Sequence, residues 1–503
     1  MLTALLPFIS VLLLYLASPG PGLAFLAWFA LVPLLLFCHR SRPAQAALWG
    51  LISGTLYHLL LLYWVTISME TYGGLPPQLA WPALFLLALY MALYFALFCF
   101  LVSKTRKRLS LLWFAPVLWV SLDYGRGLFL TGFPWMDLGY SQYGSPLLIQ
   151  GADLTGHHGI TFILVLTNAL LAHFFLNREP GHQRKKEWLA AAALILLSLT
   201  YSGIRFSQVK AELPGQPALK VAVVQANIEQ TLKWQDDLKE PNVERYLQLT
   251  RQARKESDAE LVIWPETALP FYPNIDPLMA RVEKETVLSA PFHLLTGAPY
   301  VVRRQTEYAY YNSALLLSPQ GRTEIYFKQH LVPFGEYIPL RSILPIPRPL
   351  VEGMGDFSAG TSGAPLDMGA AQIGVLICIE AIYPDLARRE TAQGATLLAN
   401  ITNDAWFGRS SAPDQHLAMA IFRTIENRRS MARAANTGIS ALILPTGEIV
   451  DHTGLFEPGY LSASLPLLSS TTFFTRIGFA FPLLCVTVTL FFLALFVKKR
   501  RKK

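Results

Sequence analysis

Three short stretches put reactive side chains at the ends of apolar, strand-like runs. Gly374-Val375-Leu376-Ile377 leads directly into Cys378, with Glu380 two residues beyond. Trp264-Pro265-Glu266 and Tyr326-Phe327-Lys328 close two earlier runs in the same manner. A thiol reacts as its thiolate, and a free-thiol pKa of about 8.5 leaves little thiolate at neutral pH. A neighbouring carboxylate can take the proton while sulfur adds to a carbonyl, then return it to the leaving group. A fixed cation, helped by the backbone N–H of the residue after the nucleophile, here Ile379, can hold the tetrahedral oxyanion. Cys378, Glu266 and Lys328 are thus candidates for the nucleophile, base and cation of covalent acyl transfer. Taken singly, each has a plainer explanation: a packed thiol, a solvated carboxylate, a surface lysine.

The elements around them must bring the three together. Runs of branched apolar residues predict strands over Leu219–Ile228, Glu260–Trp264, His293–Tyr300, Tyr311–Leu317, Thr323–Phe327, Gln372–Cys378, Thr396–Ile401, Ser440–Leu444 and Glu448–Asp451. Pro319-Gln320-Gly321 makes a hairpin of the fourth and fifth. Helical periodicity fits Asn242–Ser257, Leu278–Val287, Pro384–Gln393 and Asp414–Ala435. Alternating strands and helices predict an α/β sandwich, whose ligand sites gather where strands end. Val332–Gly360 is long, aperiodic and rich in Pro, Gly and large apolar residues, and reads as a mobile loop.

The chain has 503 residues, 52% of them hydrophobic, and the excess is confined to the two ends. Eight apolar runs are candidates for membrane-crossing helices: roughly 2–19, 23–38, 46–67, 78–102, 109–122, 158–176, 188–205 and 474–497. The fifth is short and carries Pro116. The first has neither a basic start nor a clear cleavage site, so it is expected to be a retained span. Sixteen lysines and arginines fall in the tail and in the hairpins after the second, fourth and sixth runs, against Arg126 alone in the short loops of opposite parity. That bias predicts both termini in the cytoplasm and residues 206–471 outside. The net charge of +8 is then a topology signal, and no nucleic-acid partner is expected. The expected domains are 1–205 (seven spans), 206–471 (catalytic), 472–497 (a final span) and the basic tail 498–503.

Of four cysteines, only Cys378 lies in the block 206–471, which rules out an internal disulfide there. The histidines of that block, His293, His330, His416 and His452, sit in no motif, so Cys–His catalysis is not favoured. No His/Cys pair has ligand spacing, so neither a metal nor a cofactor is expected. The membrane part offers few buried charges: Asp123, Arg126 and Asp153 fall near run ends, and His58 is the lone polar residue deep in a run.

In chain order, Trp264-Pro265-Glu266, Tyr326-Phe327-Lys328 with Leu331-Val332-Pro333-Phe334-Gly335-Glu336, and Cys378-Ile379-Glu380 resemble the three signatures of the nitrilase (carbon–nitrogen hydrolase) superfamily. The resemblance implies an αββα sandwich with a Glu–Lys–Cys triad of Glu266, Lys328 and Cys378. The seven-plus-one arrangement of apolar runs resembles the bacterial apolipoprotein N-acyltransferase family. So do Thr131-Gly132-Phe133-Pro134-Trp135, Gly139-Tyr140-Ser141-Gln142, Gln225-Ala226-Asn227-Ile228 with Lys233-Trp234, and Asn403-Asp404-Ala405-Trp406-Phe407-Gly408. Trp135 also fits an interfacial aromatic belt.

What the second resemblance implies is a multi-span helical bundle carrying an exported nitrilase-like domain in the inner membrane. A phospholipid would donate an acyl chain to Cys378, and the α-amine of a diacylglyceryl-cysteine at an apolipoprotein N-terminus would accept it. It further implies that Glu336 orients the lysine and the substrate, with Glu380, Ile379, Trp234, Asn312, Trp406 and Phe407 in support, and that the protein is a monomer. Ile379 departs from the aromatic residue frequent after the cysteine in that family. A membrane-anchored amide hydrolase, with water as acceptor, is the alternative, and a non-catalytic scaffold is disfavoured by the intact triad.

Overall fold

The computed structural model describes residues 2–176, 182–304, 307–339, 356–361 and 364–501, and divides into two compact units. The first comprises Met1–Thr66, Pro76–Gln208 and Ile477–Lys503; the second comprises Ile67–Leu75 and Val209–Arg476. Most of the expected loop Val332–Gly360, residues 340–355, lies outside the described residues.

The first unit is helical. Among the described residues, four helices are long and apolar enough to cross a bilayer: Pro43–Leu62, Pro77–Thr105, His157–Leu176 and Lys185–Gly215. Leu6–Ala17, Ala24–Arg40 and Ala480–Phe496 are apolar but shorter. Leu111–Arg126, the expected fifth run, forms a helix of 16 residues with Pro116 inside it. Small residues set the closest packing: a Cβ on Gly50 would meet the Cys99 side chain at 2.8 Å, and one on Gly54 would meet Phe95 at 2.8 Å.

The expected scarcity of buried charge in this unit does not hold. The Arg126 guanidinium pairs with Asp137, whose second oxygen lies 2.8 Å from His157 Nε2 and 3.9 Å from His158 Nε2. These sites are distant in sequence, and only the fold closes the network. Among the described residues, Asp137, His157 and His158 are close enough to hold a metal ion, which the spacing argument overlooked. The guanidinium on the same carboxylate already supplies the positive charge, so ion pairing accounts for the cluster. Trp135 is buried at 1% exposure against Trp64 and Phe133, and so does not sit in an interfacial belt.

Among the described residues the second unit carries twelve strands: β1 (Ala218–Gln225), β2 (Leu261–Ile263), β3 (His293–Arg304), β4 (Glu307–Leu317), β5 (Thr323–Phe327), β6 (Leu366–Asp367), β7 (Gln372–Ile377), β8 (Leu397–Thr402), β9 (Ser430–Ala435), β10 (Ala441–Ile443), β11 (Ile449–His452) and β12 (Gly459–Pro466). They form two six-stranded sheets, in the orders β12-β1-β2-β3-β4-β5 and β11-β10-β9-β8-β7-β6. The period-two alternation of each strand assigns its faces. Leu219, Val221 and Val223 of β1 share a core with Ile373, Val375 and Ile377 of β7, which is the interface of the two sheets. Ala222 and Val224 face the other way, onto the helix Lys239–Ser257 through Val243, Tyr246 and Leu247. The unit is an α/β sandwich of the expected kind.

One expected helix is cut in two. The helix starting at Ala412 ends at Asn427, Arg428 turns left-handed with φ 51°, and Ser430–Ala435 is β9 instead. The run Ser-Met-Ala-Arg-Ala-Ala favours a helix locally. Its place between β8 and β10, with all six residues buried, selects small side chains on a strand covered on both faces. β12 was absent from the expected strands, although Leu461, Ala463 and Leu465 alternate with Ser462 and Ser464 along it.

Candidate active site

Cys378 follows β7 directly and is 7% exposed, with its backbone in the left-handed region at φ 52°. For a residue with a Cβ this conformation costs about 1–3 kcal/mol and persists only where surrounding groups fix it. The Glu380 carboxylate is one such group. It accepts from the N–H groups of Ile377 (2.7 Å), Gln329 (2.6 Å) and His330 (3.1 Å), and from the Tyr326 hydroxyl (3.1 Å). Glu380 thereby ties the cysteine turn to the chain just after Lys328. Burial pushes its carboxyl up to about 7, against the pull of these donors and of Lys328.

Glu266 follows β2 and lies on a tight turn, with Thr267 also left-handed at φ 48°. The turn rests on β3 at Gly297, where a Cβ would come within 2.6 Å of Glu266 Cα and 2.5 Å of Thr267 N. Glycine is required there by close approach. Lys233, 1% exposed, donates to the Glu266 carbonyl (3.2 Å) and to Thr267 Oγ1 (2.7 Å). Burial lowers its ammonium to about 7, with Glu266 pulling the other way. The adjacent Trp234, expected to support the site, is half-buried and makes none of these hydrogen bonds. Lys233 is therefore the residue of that motif that reaches the Glu266 turn.

Lys328 follows β5 and is 1% exposed. Its Nζ lies 2.9 Å from Glu336 Oε1 and 3.4 Å from Glu266 Oε1. Burial alone would lower the ammonium, but Glu336 first, then Glu266 and Cys378, hold it well above the usual lysine range. Asn312 on β4 donates from Nδ2 to Glu266 Oε1 (2.7 Å) and to Glu336 Oε1 (2.9 Å). Two carboxylate acceptors fix which end of the carboxamide faces them. Glu336 Oε2 accepts the Val332 N–H at 2.8 Å, and Glu266 Oε2 accepts the Asn403 N–H at 3.0 Å. Every oxygen of both carboxylates is thus hydrogen-bonded.

Cys378 feels this cluster. Burial and the Glu266 charge push its thiol well above the usual range, and Lys328 pulls the opposite way. With the raising influences the larger, the thiol form is favoured at neutral pH. Trp406 and Phe407 lie on the turn Asp404–Phe407, which continues from Asn403. The Trp406 carbonyl accepts from Ser68 Oγ at 2.7 Å, and its ring meets Tyr72 edge-on at 5.1 Å. Both partners belong to the segment Ile67–Leu75 of this same unit.

The structure also joins Asp404, of the Asn403–Gly408 motif, to residues that no motif had singled out. Asp404, Arg433, Asn400 and His416 form a buried cluster behind the cysteine. His416 Nε2 lies 3.1 Å from the Cys378 carbonyl oxygen, although His416 had no motif context. Arg433 then His416 hold the Asp404 carboxyl down at about 2 against the opposing effect of burial. The available signal was the pairing of Asp404 in a loop with His416 and Arg433 on later elements, a long-range match that no spacing rule reads.

Comparison with known proteins agrees with this architecture. Residues 10–170 match the apolipoprotein N-acyltransferase N-terminal domain, and residues 220–472 match the carbon-nitrogen hydrolase family. An apolipoprotein N-acyltransferase of Geobacter metallireducens is 41% identical over 490 residues, covering 96% of this chain and 93% of that protein. One from Vibrio cholerae is 34% identical, covering 88% and 87%. Among solved structures, a carbon-nitrogen hydrolase from Helicobacter pylori is 16% identical with a TM-score of 0.38, covering 50% of this chain and 89% of that one. Saccharomyces cerevisiae Nit3, of the nitrilase superfamily, is 20% identical with a TM-score of 0.40, covering 50% and 90%. With a near-full-length relative at 41% identity and family matches at both ends, the chain belongs to the apolipoprotein N-acyltransferase family.

Proposed function

We propose that this protein moves an acyl chain from a membrane phospholipid to the α-amine of a diacylglyceryl-cysteine at an apolipoprotein N-terminus, through a thioester on Cys378. The observation that carries this reading is the buried Lys328 ammonium between Glu266 and Glu336, in a unit whose Cys378 thiol feels the charges of Lys328 and Glu266. The near-full-length similarity to acyltransferases favours transfer over hydrolysis.

In the first step the Glu266 carboxylate takes the Cys378 proton as sulfur adds to the ester carbonyl. Lys328 and the Ile379 N–H hold the oxyanion. Collapse breaks the C–O bond, Glu266 returns the proton to the glycerol oxygen, and lysophospholipid leaves. In the second step the amine adds to the thioester and Glu266 accepts its proton. The C–S bond then breaks and the thiol is regenerated. Ester to thioester is nearly balanced and thioester to amide runs downhill, so no energy source enters.

Moving an acyl chain into water costs about 0.8 kcal/mol per CH₂, so the site opens toward the bilayer. The Trp406–Phe407 turn is proposed as part of that opening. Eight spans, with the nitrilase-like unit on the periplasmic side of the inner membrane and both termini in the cytoplasm, fit the distribution of basic residues. The test is mass spectrometry of a diacylglyceryl-peptide incubated with purified protein and a defined phospholipid. A gain of one acyl mass, lost in Cys378→Ala, is the expected result. No gain, or a gain that survives Cys378→Ala, refutes the proposal.

A further inference from the structure

Among the groups around Cys378, His416 has the most specific geometry and no assigned part. It sits on the helix Ala412–Asn427, 1% exposed, with its ring nearly perpendicular to that of Phe407. Nε2 lies 3.1 Å from the carbonyl oxygen of Cys378. Nδ1 lies 3.1 Å from both Asp404 Oδ1 and Arg433 Nη2. The cluster is closed on its other sides. Arg433 Nη2 donates to Asp404 Oδ2 at 2.7 Å, its Nη1 donates to Asn400 Oδ1, and Thr402 Oγ1 donates to Asp404 Oδ1 at 2.8 Å.

A carbonyl oxygen only accepts, so the nitrogen facing it must carry hydrogen. The protonated ring satisfies this, with Nδ1–H donating to Asp404. The neutral ring satisfies it too, as the Nε2–H tautomer with Nδ1 accepting from Arg433. Burial, then Arg433, lowers the imidazole below its ordinary range and so favours the neutral form. In either state the Cys378 carbonyl receives a hydrogen bond from His416.

That carbonyl belongs to the Cys378–Ile379 peptide, which is trans. A trans peptide is planar, and its C=O and N–H point in opposite directions. Whatever fixes the carbonyl of Cys378 therefore aims the N–H of Ile379, the backbone donor of the proposed oxyanion hole. Asn400 Nδ2, at 3.5 Å from the same oxygen, is a weaker second hold, since it also serves the Leu376 carbonyl at 2.9 Å. A hydrogen bond on the carbonyl also polarises the peptide and strengthens its N–H as a donor.

We propose that His416 is a positioning residue for the acyl-transfer reaction: it grips the Cys378 carbonyl and so aims the Ile379 N–H at the oxyanion. The inference rests on the thioester reading above, but needs only a cysteine that acylates, whatever the natural donor. It also separates two reactions of one sulfur. Acylation passes through a tetrahedral oxyanion; alkylation by iodoacetamide displaces iodide from an sp³ carbon and forms none.

The test uses full-length protein in detergent micelles: wild type, His416→Phe and His416→Gln. Burst acylation of Cys378 by a p-nitrophenyl acyl ester is measured beside its alkylation by iodoacetamide. Deleting an oxyanion donor outright costs about 10²–10³-fold, so misaiming one in His416→Phe should slow acylation about 10–100-fold, with alkylation changed less than about threefold. His416→Gln, whose amide N–H can reach the place of Nε2, should recover about tenfold of that loss. Unchanged acylation in His416→Phe overturns the proposal, as does a parallel fall in acylation and alkylation, or a His416→Gln no faster than His416→Phe. Phospholipid is tried as donor on wild type separately; its failure there counts against the proposed function, while the variant comparison judges His416 alone.

Discussion

Replacing Glu336 by glutamine tests the central ion pair with little change of shape. Glu336 uses both oxygens as acceptors: Oε1 for Lys328 and Asn312, Oε2 for the Val332 N–H. A carboxamide has one oxygen, so either an NH₂ group opposes the Val332 N–H or Lys328 loses its acceptor. The charge is lost in both cases. At 2.9 Å, and an effective dielectric of about 20, the Lys328–Glu336 attraction is about 6 kcal/mol before desolvation is set against it. Removing one partner of a buried pair typically costs about 3–5 kcal/mol. Glu266 remains as a second counter-ion at 3.4 Å, which places the loss at the lower end, about 3 kcal/mol. Lys328 should then shift toward Glu266, leaving the oxyanion and occupying the base together. If the transition state feels all of this, the rate falls about 100–200-fold. The assay is single-turnover: hydroxylamine-sensitive acyl label on Cys378 from labelled phospholipid, then transfer to a diacylglyceryl-peptide. Both steps should slow alike, because in the proposed mechanism one cation serves both oxyanions. Glu336→Gln within about threefold of wild type in both steps, or slowed in the second only, would refute the reasoning.

Gly297→Ala puts a methyl group into the backbone of the Glu266 turn, and a displacement of about 1 Å should cost about 10²-fold in acylation; circular dichroism should show the fold intact. Lys233→Met removes the donors to the Glu266 carbonyl and Thr267 Oγ1 and should slow turnover about 10–100-fold. Because an ammonium is no longer buried, its thermal midpoint should not fall with the rate, and a parallel fall would mean that Lys233 serves only the fold. Glu390, on the helix over β7, is 1% exposed and neither of its oxygens has a hydrogen-bond partner among the described residues. Burial, then Glu380, raises its carboxyl to about 9 from 4.5. A raised folded-state pKa stabilises the fold fully below the unfolded value, and that contribution is lost as pH climbs through the folded one. Melting midpoints of wild type should therefore decline between pH about 5 and 9, and Glu390→Gln should flatten the decline; superimposable profiles would show that Glu390 does not titrate in that window.

Much of the frame was legible because it rests on local signals. The apolar runs, the strand alternation of β1 and β7, and the Pro319-Gln320-Gly321 hairpin all declare themselves within a few residues. The approach of Glu266, Lys328 and Glu336 could be anticipated because each follows a recognisable strand or motif. What could not be read depends on tertiary burial. Ser430–Ala435 has helix-favouring composition and is a strand only because two neighbours flank it. Arg126 reads as a loop charge in the sequence, but packing joins it to Asp137 away from solvent. His416 carried no local mark at all; its importance lies in a carbonyl 38 residues away in sequence.

Strain explains why the motifs alone do not make the site. Left-handed backbone occurs at Cys378 itself, at Thr267 beside Glu266, and at Phe334 two residues before Glu336. Each costs about 1–3 kcal/mol, so an isolated copy of any motif would relax to ordinary backbone and turn its side chain elsewhere. What holds them comes from distant parts of the chain. Gly297 and Lys233 hold the Glu266 turn, a Phe334 N–H to Tyr337 carbonyl bond of 2.7 Å holds the Glu336 loop, and His416 with Glu380 holds the cysteine. In the proposed mechanism the chemistry comes from three residue types, but their angles are supplied by both sheets of the sandwich. A substitution in one of these supports should therefore resemble loss of a catalytic group in rate while leaving the thiol, the carboxylates and the ammonium all present.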